Sequence, residues 1–388
     1  MNYEEYNLLD FIKEIPDWEQ IISSKPFNVK IKYEDNLVIL NYNQIETKFC
    51  KLTEQCRGPI IDIEKKKYFC HPFNKFWNHN EERALKIDWD SAVIQEKKDG
   101  SFIKLWFNGY KNNWQWSTMS TINANNAELI NPIPKESLHI EQDLKTFSDL
   151  IAWTLIQMFS DYGSPFDFWK LLNKNKTYLY EICTPYNRIV VPYKDCQLVY
   201  LATIDNETGQ ESIQENLLDF FPIPKEYKFN SLEDCIESTK SLPYSEEGYV
   251  VKDKYFHRNK IKSLAYLQVS HLKDNDGCLN PKRVIELIRL GETSEILSYF
   301  PEYENVFKSY EEKYNKLVYR ITVDNSIIES ALGHNQFNSS RKEFALWVKD
   351  NCLYPSIHFS MYDGKYENIQ KAIDGLKITT VIELMKKV

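Results

Sequence analysis

Lys97, in the run Lys97-Lys98-Asp99-Gly100-Ser101, is the side chain whose setting first suggests covalent chemistry. It lies between two strand-like runs, SAVIQE and SFIKLWF. Asp99-Gly100 is therefore predicted to close a tight hairpin turn that lifts a lysine beside it. An amine attacks only after losing a proton, and neighbouring cations with partial burial lower a lysine pKa enough for that. The pattern is weak by itself, because a surface hairpin with Asp-Gly reads the same way.

A phosphate-bearing partner would need cations from side chains, since neither a GxxxxGK[ST] cradle nor a GxGxxG turn is present. Arg57 in Cys56-Arg57-Gly58, Lys75 in Phe73-Asn74-Lys75-Phe76-Trp77-Asn78, and the pair Lys260 and Lys262 stand near strand-like segments. Period-two alternation places Lys260 and Lys262 on one face of a strand, where two ammonium groups could straddle a phosphate. Such a like-charged pair is costly unless an anion joins it. Glu181, after Tyr178-Leu179-Tyr180, and Glu247, before Gly248-Tyr249-Val250-Val251, put carboxylates at strand edges. Beside phosphates these would hold magnesium or a ribose hydroxyl. Taken singly, each glutamate reads as a solvated strand end.

The elements that must position these groups follow from apolar periodicity. Strands are predicted within 36–43, 59–73, 93–117, 177–204 and 248–269, joined as antiparallel hairpins, with a helix over 141–159. Beyond a boundary near Asp274 the texture turns helical. Asn280 is placed to cap a helix starting at Pro281, with Val284, Ile285, Leu287 and Ile288 as its apolar face and Gly291 as its end. Further helices are predicted over 303–321, 340–349 and 378–387. The fold class is α+β: residues 1–274 form antiparallel sheets with helices, and 275–388 form a mainly helical domain.

Composition narrows the classes. Of the 388 residues 43% are hydrophobic, ample for a large core. A net charge of −8 excludes sequence-independent nucleic-acid binding over the whole surface, so a polyanion must meet a local basic site. Lys252, Lys254, Arg258, Lys260 and Lys262 offer one. Eight scattered cysteines without a CxxC pair suggest neither zinc nor disulfides. No run of 18 apolar residues and no leader-like start is present, so a cytoplasmic protein without a membrane span is expected, in the host cytoplasm if viral.

The ordered set CRG, FNKFWN, KKDGS, YEICTPYNRIVVPY, EEGYVVKD and NKIK resembles the covalent nucleotidyltransferases. Within them it is similar to the phage-type ATP-dependent RNA ligases, the branch of the T-even tRNA-repair enzyme. The likeness covers about residues 30–275 well. It implies an ATP-grasp-like nucleotidyltransferase domain, and joining of RNA 5'-phosphate and 3'-hydroxyl ends through a lysyl-AMP and an adenylylated RNA end. ATP, Mg2+ (or Mn2+ in its place) and RNA are the implied partners, the chain acting as a monomer in RNA or tRNA repair. By resemblance Lys97 accepts AMP, Glu181 contacts the ribose, Glu247 helps hold metal, and Lys260 and Lys262 meet the α-phosphate. Tyr42, Arg57, Lys75, Gly100 and Tyr266 join the nucleotide contacts. Glu292 or Glu295 would supply the metal ligand of the helical domain, with Glu295 preferred. Where the family has a cation between Ser/Thr and Gly, this sequence has Met119. Either Lys104 replaces that charge or the outer phosphates are held more weakly. The competing readings are a capping guanylyltransferase or DNA ligase, which should carry a second small β-barrel after NKIK, and a non-catalytic RNA-binding relative.

Overall fold

The computed structural model describes all residues except 1, 45, 139, 160–166, 271–278, 291–292, 294–295, 298–299, 334–339 and 388. Contacts divide the chain into two units, Met1–Ser270 and His271–Val388. The first holds all the strands of the four sheets below, and the described residues of the second are mainly helical.

Three sheets frame the first unit. A four-stranded antiparallel sheet runs Lys30–Glu34, Leu37–Asn41, Arg57–Asp62 and Lys67–Cys70 in order. A second, central sheet orders its strands Glu211–Ser212, Gln197–Asp205, Lys176–Cys183, Ser101–Asn108 and Asn113–Thr118. The third orders Glu226–Tyr227, Val93–Glu96, Gly248–Lys252, Arg258–Lys262 and Trp77–Asn78, its last pairing parallel. A two-stranded ribbon pairs Glu128–Ile133 with Leu144–Thr146. The central strands are buried on both faces, which explains their near-continuous apolar runs: Tyr178, Leu179, Tyr180 and Ile182 of one strand have no exposed surface. The helix Phe147–Phe159 covers this sheet with Leu150, Ile151, Leu155 and Phe159.

Two expectations change here. The segment 141–159 is not one helix, because Leu144–Thr146 pairs as an edge strand before the helix begins. The side chain of Asp149 accepts hydrogen bonds from the Lys145 and Thr146 amides, at 3.0 and 2.9 Å, which fixes that start. More important, Lys97–Gly100 does not close a hairpin. The strands on either side of it belong to different sheets, so the segment is a crossover between them.

In the helical unit, Asn280 Oδ1 accepts from the Lys282 and Arg283 amides and Pro281–Leu290 follows as a helix. Glu304–Gly333, Arg341–Asn351, Pro355–Tyr362, Ile369–Asp374 and Ile378–Met385 follow. Ile285, Leu317, Ile321, Ile357, Ile373 and Val381 make their core. Among the described residues no helix is long and apolar enough to cross a membrane.

Candidate active site

The crossover is held from several sides. The Lys97 amide donates to the Gly248 carbonyl at 2.8 Å, continuing the third sheet by one residue. Asp99 is 3% exposed, and its Oδ2 accepts from the Val190 and Val191 amides at 2.8 and 2.7 Å. Its Oδ1 accepts from the Tyr266 hydroxyl at 2.8 Å, and its amide donates to the Tyr193 hydroxyl at 3.1 Å. Gly100 lies where a Cβ would meet the Ile182 carbonyl oxygen at 2.4 Å, so close backbone approach to the central sheet requires glycine there. Asn187 Nδ2 donates to Ser101 Oγ at 2.8 Å.

Held this way, Lys97 faces a cleft of about 250 Å3 lined by Arg57, Phe73, Phe76, Gly100, Phe102 and Glu181 among others. Lys97 Nζ lies 2.8 Å from Glu247 Oε2, and Lys262 Nζ lies 2.8 Å from Glu247 Oε1. One carboxylate, 4% exposed, thus bridges two ammonium groups. Although burial pushes the Glu247 carboxyl up, Lys97 and Lys262 outweigh it and hold the group below its usual range. Glu181 has no such bridge: burial pushes it up to about 7 against the pull of Lys97.

The cations divide into two kinds. Arg57 packs its guanidinium on Phe102, 4.5 Å from the ring centre, and on Phe76 at 5.3 Å. Its Nη1 is buried without a hydrogen-bond partner, a donor that an anion in the cleft would satisfy. Lys260 stands 5.4 Å from the Phe76 ring and has no ion-pair carboxylate among the described residues. Burial first, then Lys97, Lys262, Lys75 and Arg57, push it down to about 7. Lys75 sits over the rings of Trp77, Phe49 and Tyr42 at 4.3, 4.4 and 5.1 Å and donates to Gln44 Oε1 at 3.1 Å. Lys252 and Arg258 instead pair with Glu211, and Lys254 with Asp88. Of the five-cation run, then, Lys252, Lys254 and Arg258 pair with carboxylates, Arg258 while also lining the Lys97 cleft, and Lys262 holds Glu247 beside Lys97. Arg258 also borders a neighbouring hollow of about 340 Å3 that contains neither Lys97 nor Glu181.

The expected lowering of the Lys97 pKa is reversed. Burial does push the amine down, but Glu247 and Glu181 outweigh it and raise the group above the usual lysine value. The depression falls on Lys260, which has cations around it where Lys97 has carboxylates. Sequence reasoning counted the neighbouring lysines and could not see which carboxylate reaches which.

A family described as RNA ligase matches residues 55–266, more than half of the chain, a span that includes every residue from Arg57 to Lys262. The chain belongs to the RNA ligase family. Among curated proteins this chain is 29% identical over 334 residues to one from Autographa californica nuclear polyhedrosis virus whose name pairs polynucleotide kinase with RNA ligase. That match covers 80% of this chain and 44% of the viral protein, so the chain spans less than half the length of that relative. It is 23% identical over 404 residues to an RNA ligase of Rhodothermus phage RM378, with 89% of each covered. An archaeal ATP-dependent RNA ligase is a similar solved structure, at 10% identity, TM-score 0.41 and 82% of both chains.

The remaining anticipated residues are placed less directly. Tyr42 is 6% exposed and packs edge-on against Phe49, behind Lys75. Tyr266 is 4% exposed with its hydroxyl committed to Asp99. Glu292 and Glu295 lie outside the described residues. Lys104 has no exposed surface and donates to the Gly58 carbonyl, next to Arg57 in the strand Arg57–Asp62, so it does not reach the cleft. Asp99, Tyr193 and the 190–191 amides were missed as a positioning set. Their only signal in the sequence was the Asp of Asp-Gly, which reads as turn chemistry.

Proposed function

We propose that this chain is an ATP-dependent RNA ligase that carries AMP on Lys97 Nζ and uses it to join RNA 5'-phosphate and 3'-hydroxyl ends. The observation that carries this reading is the Lys97–Glu247–Lys262 bridge at the edge of a cleft with aromatic walls, an unpartnered Arg57 donor and an uncompensated Lys260. Such a cleft is built for a planar base between apolar faces and for phosphate negative charge.

The chemistry runs in three transfers. The Lys97 amine loses its proton and attacks the α-phosphorus, forming a P–N bond as pyrophosphate leaves. An RNA 5'-phosphate oxygen then displaces the lysine, which regains a proton. Finally the 3'-hydroxyl attacks the activated 5'-phosphate, its proton is lost, and AMP departs. Arg57, Lys260 and Lys262 stabilise charge on the phosphate oxygens, and Glu181 is placed to accept a ribose hydroxyl.

The donors present fit a divalent cation that arrives with phosphates rather than one held in a cage. Glu181 and Glu247 both face Lys97, and among the described residues no three ligand atoms of His, Cys, Asp or Glu gather within 4.8 Å in this cleft. A divalent cation bound by Glu247 would neutralise phosphate charge and remove the counter-charge that keeps Lys97 protonated. RNA and tRNA repair, and choice of RNA by the helical unit, are the finer parts of the proposal and rest on the sequence resemblance.

The test is incubation of the full chain and Lys97→Ala with Mg2+ and nucleotide labelled at the α-phosphate, followed by denaturing electrophoresis. Label from ATP retained by the wild-type chain and lost in the variant is the expected result. Label from GTP would shift the reading to a capping enzyme, and no label from either, in folded AMP-free protein, would overturn it.

A further inference from the structure

The helical unit brings together three side chains that the ligase chemistry does not use. Asp324 lies on Glu304–Gly333, Cys352 follows Arg341–Asn351, and His358 is on Pro355–Tyr362. One ligand atom from each lies within 4.8 Å of the other two. His358 is 1% exposed, and neither ring nitrogen has a hydrogen-bond partner among the described residues. An imidazole buried with both nitrogens unmet is costly unless something occupies one of them. Asp324 is 3% exposed; its Oδ1 pairs with Arg320 Nε and its Oδ2 accepts the Leu353 amide, each at 3.1 Å. Each oxygen retains a lone-pair direction. Cys352 is partly exposed and unbonded to any other cysteine.

We propose that Asp324, Cys352 and His358 form a zinc site that ties together three helical segments of this unit, with water as the fourth ligand on the open side of Cys352. The mixed S, N and O donor set selects Zn2+ over Mg2+ or Ca2+, which prefer oxygen alone. Zinc–ligand bonds of about 2.0–2.3 Å need the donors somewhat closer together, within the reach of side-chain rotation. On binding, the Cys352 thiol releases its proton, and thiolate and carboxylate together balance the charge of the ion. Beside the site Ile328, Ala331, Phe344 and Val348 form a small separate cluster, which is where a metal staple has most to add. The ligands are 28 and 6 residues apart on separate segments, which is why no CxxC-like spacing reveals them.

The full chain, stripped of metal, is alkylated with iodoacetamide with and without Zn2+, and modification at Cys352 and Cys196 is read by mass spectrometry. Zn2+ is expected to slow Cys352 alkylation at least tenfold and leave Cys196, also partly exposed, unchanged, and Mg2+ to protect neither. Co2+ in place of Zn2+ should give a thiolate charge-transfer absorption, with one ion per chain. Cys352→Ser and His358→Gln should each lose that absorption while folding normally by circular dichroism. Equal alkylation with and without Zn2+ in the wild-type chain would overturn the proposal, whatever the variants do. A charge-transfer band that survives Cys352→Ser would also overturn it. None of these readouts depends on ligase activity.

Discussion

The end of the Val93–Glu96 strand and the Arg258–Lys262 strand each bring a mostly buried lysine to one cluster of charges, yet the two amines stand in opposite fields. Lys97 has Glu247 and Glu181 beside it and is held protonated. Lys260 has Lys97, Lys262, Lys75 and Arg57 beside it and is pushed down to about 7. The same desolvation acts on both, so the sign of the outcome is set by the neighbours. The difference suits a division of labour. The proposed nucleophile is stored in its unreactive form until its carboxylate is drawn elsewhere, whereas Lys260, the proposed phosphate ligand, gains its charge when an anion arrives.

Replacing Glu247 by Gln attacks this comparison most directly. Both Lys97 and Lys262 lose their partner, so nucleotide transfer is expected to fall by 100-fold or more even though the free Lys97 amine becomes easier to deprotonate. Chemical denaturation should show a loss of about 2 kcal/mol, below the cost of stranding a fully buried charge because both lysines keep contact with water. Retained transfer in this variant would show that Glu247 serves only the fold. A smaller effect concerns Lys260. Its depressed pKa means that the stability gained from its neutral form is present at high pH and lost as pH falls through about 7. Pyrophosphate binding about one unit above that pH should draw in close to one proton per site, seen by calorimetry in two buffers of different ionisation enthalpy. Lys260→Ala should abolish the uptake, and uptake unchanged in that variant would assign the proton elsewhere. The smallest expected effect is Glu181→Gln. Because the Glu181 carboxyl is raised to about 7, the stability its protonated form provides is present below the ordinary glutamate range and lost as pH rises through about 7. The amide should therefore raise thermal stability above that pH by about 1 kcal/mol and make no difference in acid, with nucleotide transfer impaired at both.

The legible part of this molecule was local. Residues such as Arg57, Lys97, Glu181 and Lys262 are singled out by their order along the chain, since each taken singly reads as a solvated strand end or a surface turn. The strands themselves follow from their burial, and the Pro281 helix from its cap. What was hidden is pairing across long separations. Glu247 meets Lys97 across 150 residues, and Asp99 meets Tyr266 across 167. The hairpin reading of Asp99-Gly100 failed for the same reason. Both flanking strands look alike in sequence, and only their partners, Gly248–Lys252 on one side and Lys176–Cys183 on the other, assign them to different sheets. Lys104 shows the converse, a charge in an apolar strand that reads as a phosphate ligand and is spent on the Gly58 carbonyl in the Arg57–Asp62 strand.

The crossover at Lys97–Gly100 has a mechanical consequence. Its amide at Lys97 is fastened to one sheet and its Asp99 carboxylate to amides beyond the end of a strand in the other. Parting of the two sheets cannot occur without breaking one of these ties. Amide hydrogens of Lys97, Val190 and Val191 should then exchange with solvent as one cooperative group, at a common free energy of opening. The lysine becomes the strain gauge of the domain: any loosening of either sheet, by mutation far from the cleft, registers first as a misplaced amine.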